Sequence, residues 1–477
     1  MKNKSIWEQP IKYLKPLKKN MDVDVLIIGG GITGLSCLYN LKDSNLKTIL
    51  VERNACGTGI TMKSTAKITF VQEPLITNIR KYHGNKIAVE YLKSQIDAMH
   101  TLKNIIVNEG IDCDLKEVKS YVFTCDETSI SNLDSCYNFY KNAGQTPEYI
   151  NINSKDINLK NCFKISNTYT FNPTKYINHL KELLNKNIYE NSKIENITKE
   201  NDYYICTIKN IKIKTKHIII ACHYPYFIYP LLLPLKSHIE TSFIGARKVS
   251  ENLNISAISI DKDPHSIRYY NDSKDNYLIY INTTIPSANI KSINKYFQNL
   301  ETKDHLDYLW SNNDIMTNDY LPFIGSITKN NQLLIGTGYN AWGITNGTLA
   351  GIILSDIILK KQNSYQQLFS PKRNINLAKI INLPKNLAYN LKSFLNSTKN
   401  NVNNQKVIYK KIRGINVAIY TDETGIEHTV INKCPHMKCG LVFNELEKTW
   451  DCHCHGSRFD IDGKCIEGPS NYDITFK

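Results

Sequence analysis

The order of apolar and polar positions predicts alternating strands and helices over most of the chain. Val25–Ile28 is a continuous apolar run, as expected of a central parallel strand. A helix is predicted over about Thr33–Leu41, a second strand over Thr48–Glu52, and a last strand–helix unit over Gln332–Leu359. Helical segments and strand-like runs such as Ile211–Ala221 are mixed between residues 70 and 310. We therefore expect an α/β (α+β) body with a Rossmann-like domain and an interleaved second domain.

A different pattern begins after residue 360. Lys360–Gln405 is rich in Lys, Asn, Gln and Ser and ends in Asn400-Asn-Val-Asn-Asn404. This composition predicts a linker over residues 366–405 with room for one helix. Val407–Ile431 then alternates as strands do, with a turn at Asp422-Glu-Thr-Gly425. We expect the first body to cover residues 21–365 and a small all-β domain to cover residues 406–477.

Composition points to a globular enzyme, with 42% hydrophobic and 22% charged residues. No run approaches the roughly 20 apolar residues that span a bilayer, so no membrane span is expected. The Lys-rich start, Met1–Asn20, lacks the apolar region of a secretory signal, which favours a cytoplasmic location. The net charge of +15 comes with only seven arginines and no basic stripe interleaved with aromatics. We therefore expect a solvated Lys-rich surface and no nucleic-acid partner.

Thirteen cysteines fall into two groups. Eight are scattered from Cys37 to Cys222 without motif spacing and are expected to be small buried side chains. Five lie between Cys434 and Cys465, among several histidines. An odd total without a leader argues against a general disulfide framework, so this second group predicts a metal site.

Gly29-Gly-Gly31-Ile-Thr-Gly34 follows the first predicted strand and opens the first predicted helix. In this G-x-G-x-x-G pattern Gly29 permits the tight turn, Gly31 lets the backbone approach a pyrophosphate, and Gly34 lets the helix pack on the strand. Glu52, 18 residues past Gly34, ends the second strand, where a carboxylate binds ribose hydroxyls. The motif predicts a dinucleotide site but does not distinguish FAD from NAD.

Cys434-Pro-His436 and Cys452-His-Cys-His455 place C-x-H and C-x-x-H 15 residues apart. Two thiolates and two imidazoles are the ligands of a Rieske [2Fe–2S] cluster, with the cysteines on one iron and the histidines on the other. Structural zinc is the alternative, because a Cys₂His₂ set also suits a tetrahedral ion.

The first body resembles the glycine oxidase and D-amino-acid oxidase superfamily of FAD-dependent oxidoreductases. Asp22–Glu52 is similar to its FAD-binding start, and Gly57–Lys67 is similar to the next segment of its Rieske-fused branch. His217–Pro225 resembles the strand that returns to the FAD domain, and Asp319–Gly325 and Gly336–Gly347 resemble the closing flavin motifs. The resemblance covers nearly the whole chain and implies FAD as the cofactor.

The resemblance also implies which residues contact FAD. The expected contacts are Gly29, Gly31, Ile32, Thr33, Gly34, Glu52, Arg53, Thr61, Ser64, Thr65, Ala66, Ile194, Gly338, Trp342, Gly343, Thr345, Asn346 and Gly347. A helix start near Thr345–Gly347 would face the flavin edge that becomes negative on reduction. Lys67 and Arg268 are the catalytic candidates: the lysine would polarise flavin or substrate, and the arginine would clamp a substrate carboxylate. His223 and Tyr224 are expected either to line the pocket or to form a packed turn.

The last domain resembles Rieske domains. The resemblance implies a disulfide between Cys439 and Cys454, a hydrogen bond from Ser457 to a cluster sulfur, and a Pro469 that covers the cluster. Phe459 stands where respiratory Rieske proteins usually have a tyrosine, so we expect a lower reduction potential than theirs. His453 replaces a usual proline and is expected to be a bystander rather than a ligand.

Together these features imply oxidation of an amine or amino-acid-like small molecule by FAD. The electrons would then pass singly through the cluster to an external acceptor, or in the reverse direction from an external donor. The sequence leaves open a second class of function, an electron-transfer or redox-sensing protein that turns over no small metabolite.

Overall fold

The computed structural model describes residues 3–225, 232–289, 295–296, 305–373, 377–399 and 406–476. The described helices are α1 Ile32–Leu41, α2 Leu75–Asn108, α3 Ile130–Asn142, α4 Pro173–Leu183, α5 Leu233–Lys236, α6 Gly343–Ile358 and α7 Leu377–Lys399. The strands before α7 are β1 Met21–Ile28, β2 Thr48–Val51, β3 Lys67–Ile68, β4 Lys116–Phe123, β5 Glu148–Tyr149, β6 Ile152–Asn153, β7 Asn158–Leu159, β8 Cys162–Thr170, β9 Ile188–Tyr189, β10 Asn196–Glu200, β11 Tyr203–Ile208, β12 Ile211–Ile220, β13 Ser237–Val249, β14 Ile255–Ser259, β15 Ser266–Asn271, β16 Asn276–Pro286, β17 Tyr308–Thr317, β18 Phe323–Ser326 and β19 Leu333–Thr337. After α7 come β20 Val407–Ile412, β21 Ile415–Thr421, β22 Glu427–Ile431, β23 Val442–Asn444, β24 Thr449–Asp451, β25 Arg458–Phe459 and β26 Cys465–Glu467.

The first sheet has a parallel core in the order β9-β2-β1-β12-β19, with β10, β11 and β18 joined antiparallel to it. Its centre is β1, whose Val25, Leu26 and Ile27 are fully buried, because a central parallel strand is covered on both faces. Helices α1 and α6 pack against each other at glycines: a Cβ on Gly347 would lie 2.6 Å from Ile32 Cγ2. The predicted Rossmann-like unit is confirmed.

The second sheet has nine strands in the order β17-β13-β16-β15-β14-β4-β8-β3, with β5 paired to β8. It is mostly antiparallel, and its strands come from two separate stretches of the chain, one between β2 and β9 and one between β12 and β18 of the first sheet. This is the interleaved second domain that the sequence predicted. The long helix α2 packs against α6 and is interrupted at Gly84, which has φ +84°.

The third part is a small all-β domain. Strands β20, β21 and β22 form one antiparallel sheet, and β23 to β26 form another. Trp450 and Phe459 are fully buried between them. The all-β domain agrees with the alternating pattern after Val407, and the stretch expected to be a linker contains α7. Nowhere in the described chain does a helix combine the length and apolar character needed to cross a bilayer.

Polar contacts fix the small domain against the first body. Glu447 accepts a hydrogen bond from Ser311 Oγ at 2.6 Å and pairs with the buried Arg458 at 2.9 Å. Lys63 Nζ lies 2.9 Å from a carboxylate oxygen of Glu467. Because these charged groups are largely shielded from water, their contacts hold the domain in a defined orientation more firmly than surface pairs do.

Candidate functional site

The glycine-rich turn between β1 and α1 has the geometry that a phosphate-binding turn needs. Gly29 has φ +109°, and a Cβ there would lie 2.6 Å from the carbonyl oxygen of Ala221. A Cβ on Gly34 would lie 1.9 Å from the carbonyl oxygen of Gly29. Both positions therefore require glycine, and they let α1 begin directly at the end of the strand.

Glu52 follows β2 at the same edge of the sheet. Its side chain accepts hydrogen bonds from the backbone N–H groups of Gly30, at 2.7 Å, and Asn54, at 2.8 Å. These bonds fix the carboxylate beside the glycine turn, where ribose hydroxyls bind in dinucleotide folds.

One elongated cavity starts at this turn and continues between the two large sheets. Most of the residues expected to contact FAD line it: Gly29, Gly31, Ile32, Thr33, Glu52, Arg53, Thr61, Ser64, Thr65, Ala66, Ile194, Trp342, Gly343 and Thr345. The first residues of α6 lie at its wall, so the positive end of this helix dipole points toward the cavity, as expected. The donors and the glycine cradle fit an FAD molecule.

Four residues expected to contact FAD do not line the cavity. Gly34 and Gly347 allow close helix packing, and Gly338 has φ +74° at a turn after β19. Asn346 is fully buried and accepts a hydrogen bond from Gln95 Nε2 at 2.9 Å. These four positions support the cavity wall, and their direct contact with FAD stays a prediction.

Lys67, on β3, lines the cavity but is already engaged. Its Nζ donates to the carbonyl oxygen of Ala257 and to Ser266 Oγ, both at 2.8 Å. Burial, together with the nearby Arg268 guanidinium, lowers the pKa of Lys67 to about 7. The amine is therefore partly neutral near physiological pH, and a role beside the flavin remains a prediction.

Arg268 lies outside the cavity wall and is 1% exposed. Its Nη1 donates to the carbonyl oxygens of Thr65 and Ala66, both at 2.8 Å, and its guanidinium stacks over the ring of Trp7. In the structure Arg268 holds the backbone of the cavity-lining segment in place, and its expected role as a carboxylate clamp stays a prediction.

Replacing Arg268 with methionine should therefore destabilise the fold rather than weaken substrate binding selectively. The change leaves two carbonyl oxygens without their charged donor, and we expect a loss of about 2–4 kcal/mol in the free energy of unfolding. Thermal unfolding followed by flavin fluorescence measures it. Arg247→Met, on the same sheet but partly exposed, is the matched control and should cost less. A variant with unchanged stability and a strongly raised KM would restore the clamp.

The two cysteine–histidine loops meet at one end of the small domain. The Cys434 and Cys452 thiols are hydrogen-bonded to each other, and the His436 and His455 rings have centroids 4.9 Å apart. His455 Nδ1 is buried without a hydrogen-bond partner. Burial and the neighbouring His436 lower the pKa of His455 to about 3, so its ring is neutral, as a metal ligand must be. Two sulfurs and two ring nitrogens at one place fit a Rieske cluster.

The neighbours of these ligands follow the Rieske resemblance. Cys439 and Cys454 form the expected disulfide. A hydrogen bond from the Ser457 side chain contributes to the lowered pKa of Cys434, which agrees with the expected bond to a sulfur. The Cys452 thiol lies within 4.8 Å of both disulfide sulfurs. Since a disulfide offers no thiolate, these three sulfurs do not form a separate metal site.

His453 lies in the same loop as His455 but has a different environment. It lines a small interface cavity with Asn313 and Arg458. This position supports the expectation that His453 is a bystander.

The cavity and the cluster loops share a wall. Glu467, Gly468 and Pro469 of the small domain line the cavity. Tyr224 also lines the cavity, and its ring centroid is 5.2 Å from that of His455 and 6.1 Å from that of His436. The two sites that the sequence predicted separately are therefore adjacent.

Sequence reasoning missed several residues of this site. Trp7, in the Lys-rich start, is 1% exposed and donates from Nε1 to the carbonyl oxygen of Ser64 at 2.8 Å. Asp314 lines the cavity, and burial next to Glu240 raises its pKa to about 7. A tryptophan in an otherwise charged segment was the one available signal for Trp7; Asp314 had none.

The family assignment follows from comparison with known proteins. The FAD dependent oxidoreductase family (DAO) matches residues 24–357, and the Rieske [2Fe-2S] domain family matches residues 394–475. The chain belongs to the FAD-dependent oxidoreductase family and carries a C-terminal Rieske domain. FAD and a [2Fe–2S] cluster are thus its cofactors, in agreement with the donors described above, and the zinc alternative is not retained.

Relatives of this FAD-dependent oxidoreductase share one or both parts. A Bacillus subtilis protein named as a Rieske 2Fe-2S iron-sulfur protein, YhfW, is 28% identical over 95% of this chain and 93% of its own length. Gamma-glutamylputrescine oxidoreductase of Escherichia coli is 21% identical over 72% of this chain and 85% of its own length. Glycine oxidase from Geobacillus kaustophilus superposes with a TM-score of 0.59 at 15% identity, over 75% of this chain and all of its own.

Proposed function

We propose that the enzyme oxidises the C–N bond of an amine or an amino-acid-like compound and passes the electrons one at a time through its Rieske cluster to an external acceptor. The observation that carries this proposal is the shared wall, in which Tyr224 lines the flavin cavity and also packs against the two histidine rings of the cluster loops. In this proposal residues 21–365 bind FAD and substrate, residues 366–405 connect, and residues 406–477 hold the cluster.

When bound, FAD supplies a two-electron acceptor and the cluster supplies a one-electron carrier. The cavity-lining residues named above would hold FAD, and Cys434, His436, Cys452 and His455 would hold the cluster. The protein holds these ligands close to the cavity through Lys63–Glu467 and through Arg53, whose Nη1 donates to the carbonyl oxygen of Ser470 at 2.9 Å. Because the separation between the two sites is defined, electrons can pass directly from one site to the other without a movement of the small domain.

The charged groups of the cavity favour an amine over a free amino acid. Among the described lining residues, Lys67, Arg53 and Lys193 carry cationic groups, and each already donates to protein oxygens. Arg268 donates to the carbonyl oxygens of Thr65 and Ala66, and Arg53 donates to that of Ser470, so both arginines already bind protein oxygens rather than a carboxylate. The relative named gamma-glutamylputrescine oxidoreductase, whose name denotes an amine, supports the same class.

Anaerobic mixing with a panel of primary and secondary amines tests this proposal. An accepted amine should bleach the flavin absorbance and then produce the EPR signal of a reduced Rieske cluster. Amino acids with the same side chains serve as the matched comparison, and we expect them to react more slowly. A protein that no amine or amino acid bleaches, although its cluster exchanges electrons with dyes, would instead be an electron-transfer or sensing protein.

Tyr224 provides a separate test of the shared wall. Tyr224→Ala should slow cluster reduction by about 10- to 100-fold, because it opens a gap beside both histidine rings and frees their orientation. Tyr224→Phe keeps the ring and should remain close to the wild-type rate. Rapid-mixing absorbance at flavin and cluster wavelengths separates the two steps. Equal rates of cluster reduction in both variants would show that electrons take another route.

A further inference from the structure

Helix α7 lies on the first body with its polar side inward. Asn382 Nδ2 donates to the carbonyl oxygen of Asn318 at 2.7 Å, and Asn390 Nδ2 donates to that of Pro234 at 2.6 Å. The Tyr389 ring lies 5.1 Å from the ring of His238. Surface helices usually turn their apolar side to the core, so this arrangement reverses the common pattern.

The apolar side of α7 faces outward. Leu383, Leu387 and Leu391 are 39%, 42% and 59% exposed. Because a helix turns about 100° per residue, positions four apart form one stripe along its side. Phe394 and Leu395 extend this outward stripe and are 46% and 49% exposed.

The apolar surface continues beyond α7. The neighbouring segment at α5 contacts α7, and its Leu232 and Leu235 are 42% and 44% exposed. We call Leu232, Leu235, Leu383, Leu387 and Leu391 the leucine surface. Exposed apolar side chains are normal when scattered, but several on two adjacent elements mark a site of interaction.

The charged residues of α7 are all positive. Residues 377–399 contain four lysines and no aspartate or glutamate. Lys392 is exposed and, three residues before Leu395, lies at one edge of the outward stripe, where its Nζ donates to Asn289 Oδ1 at 2.7 Å. Leucines flanked by lysines on a helix that lies along a surface are the features of interfacial membrane binding.

We propose that the leucine surface binds a membrane that carries anionic lipids. The leucines would enter the boundary between headgroups and acyl chains, and the lysines would contact lipid phosphates. The negative surface potential of the membrane would attract each lysine and so strengthen binding. The chain's net charge of +15 acts in the same direction. A second copy of the chain fits less well, since a symmetric contact would place the lysines of the two α7 helices against each other. The inference does not depend on which substrate the enzyme oxidises.

Vesicle co-sedimentation of the full-length holoenzyme tests the proposal. We expect binding to vesicles of phosphatidylcholine mixed with phosphatidylglycerol, weaker binding to phosphatidylcholine alone, and release at raised salt. The double variant Leu387→Glu with Leu391→Glu should bind the anionic vesicles about tenfold or more weakly. Val107→Glu with Ile426→Glu is the matched control, because these residues are 61% and 59% exposed elsewhere on the protein. It should bind as the wild type does.

Flavin content and melting temperature establish that both double variants are folded. Three results would overturn the proposal. The first is a wild type that does not sediment with anionic vesicles, and the second is equal binding by the leucine variant. The third is a wild-type protein that does not bind vesicles and is a dimer by size-exclusion chromatography with light scattering, while the leucine variant is a monomer. That result would assign the leucine surface to contact between copies.

Discussion

His455→Ala should abolish the iron–sulfur cluster while leaving FAD bound. The His455 ring is 6% exposed, and its Nδ1 is buried without a hydrogen-bond partner in the protein, as suits a nitrogen that binds a metal. A Rieske cluster needs both histidines, because each loop supplies one thiolate and one imidazole. We expect iron content to fall close to zero and the Rieske EPR signal to disappear, whereas the flavin absorbance stays at the wild-type level.

His453→Ala is the matched control for this experiment. This histidine lies two residues earlier in the same loop but lines the interface cavity beside Arg458. The control should keep its iron and its EPR signal. Loss of iron in the control with retention in His455→Ala would reverse the ligand assignment, and loss of flavin in His455→Ala would indicate that the domains unfold together.

The two cofactor sites were predictable because their chemistry is local in sequence. The turn at Gly29 and the helix contact at Gly34 depend on atoms within a few residues of the motif, so the pattern fixes their geometry. The ligand loops around Cys434 and Cys452 likewise carry their chemistry in short spacings. The apolar run of β1 predicted a central parallel strand for the same reason, since burial on both faces requires it.

The role of Arg268 depends on partners that are distant in sequence. A buried arginine beside a flavin segment suits a carboxylate clamp as well as a structural support. The structural role depends on Trp7, whose ring meets Tyr270 edge to face with centroids 4.7 Å apart and lies under the Arg268 guanidinium. Trp7 is more than 250 residues away in sequence, and the presence of a tryptophan in a Lys-rich segment does not indicate that it packs beside Arg268.

The adjacency of the two sites was also beyond sequence reasoning. Motifs identify what a domain binds, but the orientation of two domains depends on side chains spread over both. Here Ser311 and Glu447 meet across the interface, and Tyr224 packs on the histidine ligands. The same limit applies to α7: apolar spacing defines a face of the helix but does not tell which side turns to the protein.

Gly34→Ala should strongly reduce the amount of FAD that the protein binds. The added Cβ would lie 1.9 Å from the carbonyl oxygen of Gly29, so either α1 or the turn must move. The backbone fixes the positions of both atoms, so no side-chain rotation relieves the contact. We expect the free energy of unfolding to fall by at least about 1–3 kcal/mol, as is typical of overpacking. A displaced turn also moves Gly31 away from the pyrophosphate. The purified variant should contain little flavin, as measured by its absorbance ratio, and should unfold at lower temperature.

Gly59→Ala is the matched control, because a Cβ there meets no protein atom within 4 Å and the residue is exposed at the cavity rim. It should retain flavin and stability. If Gly34→Ala keeps full flavin content, then α1 can shift without disturbing the turn, and the glycine would be needed for packing alone. If it loses flavin but retains the Rieske EPR signal, the small domain folds independently of an occupied flavin cavity. The wall containing Tyr224 and Pro469 would then form without bound FAD. The rate of cluster reduction in this variant would measure how far electron transfer to the cluster depends on bound FAD.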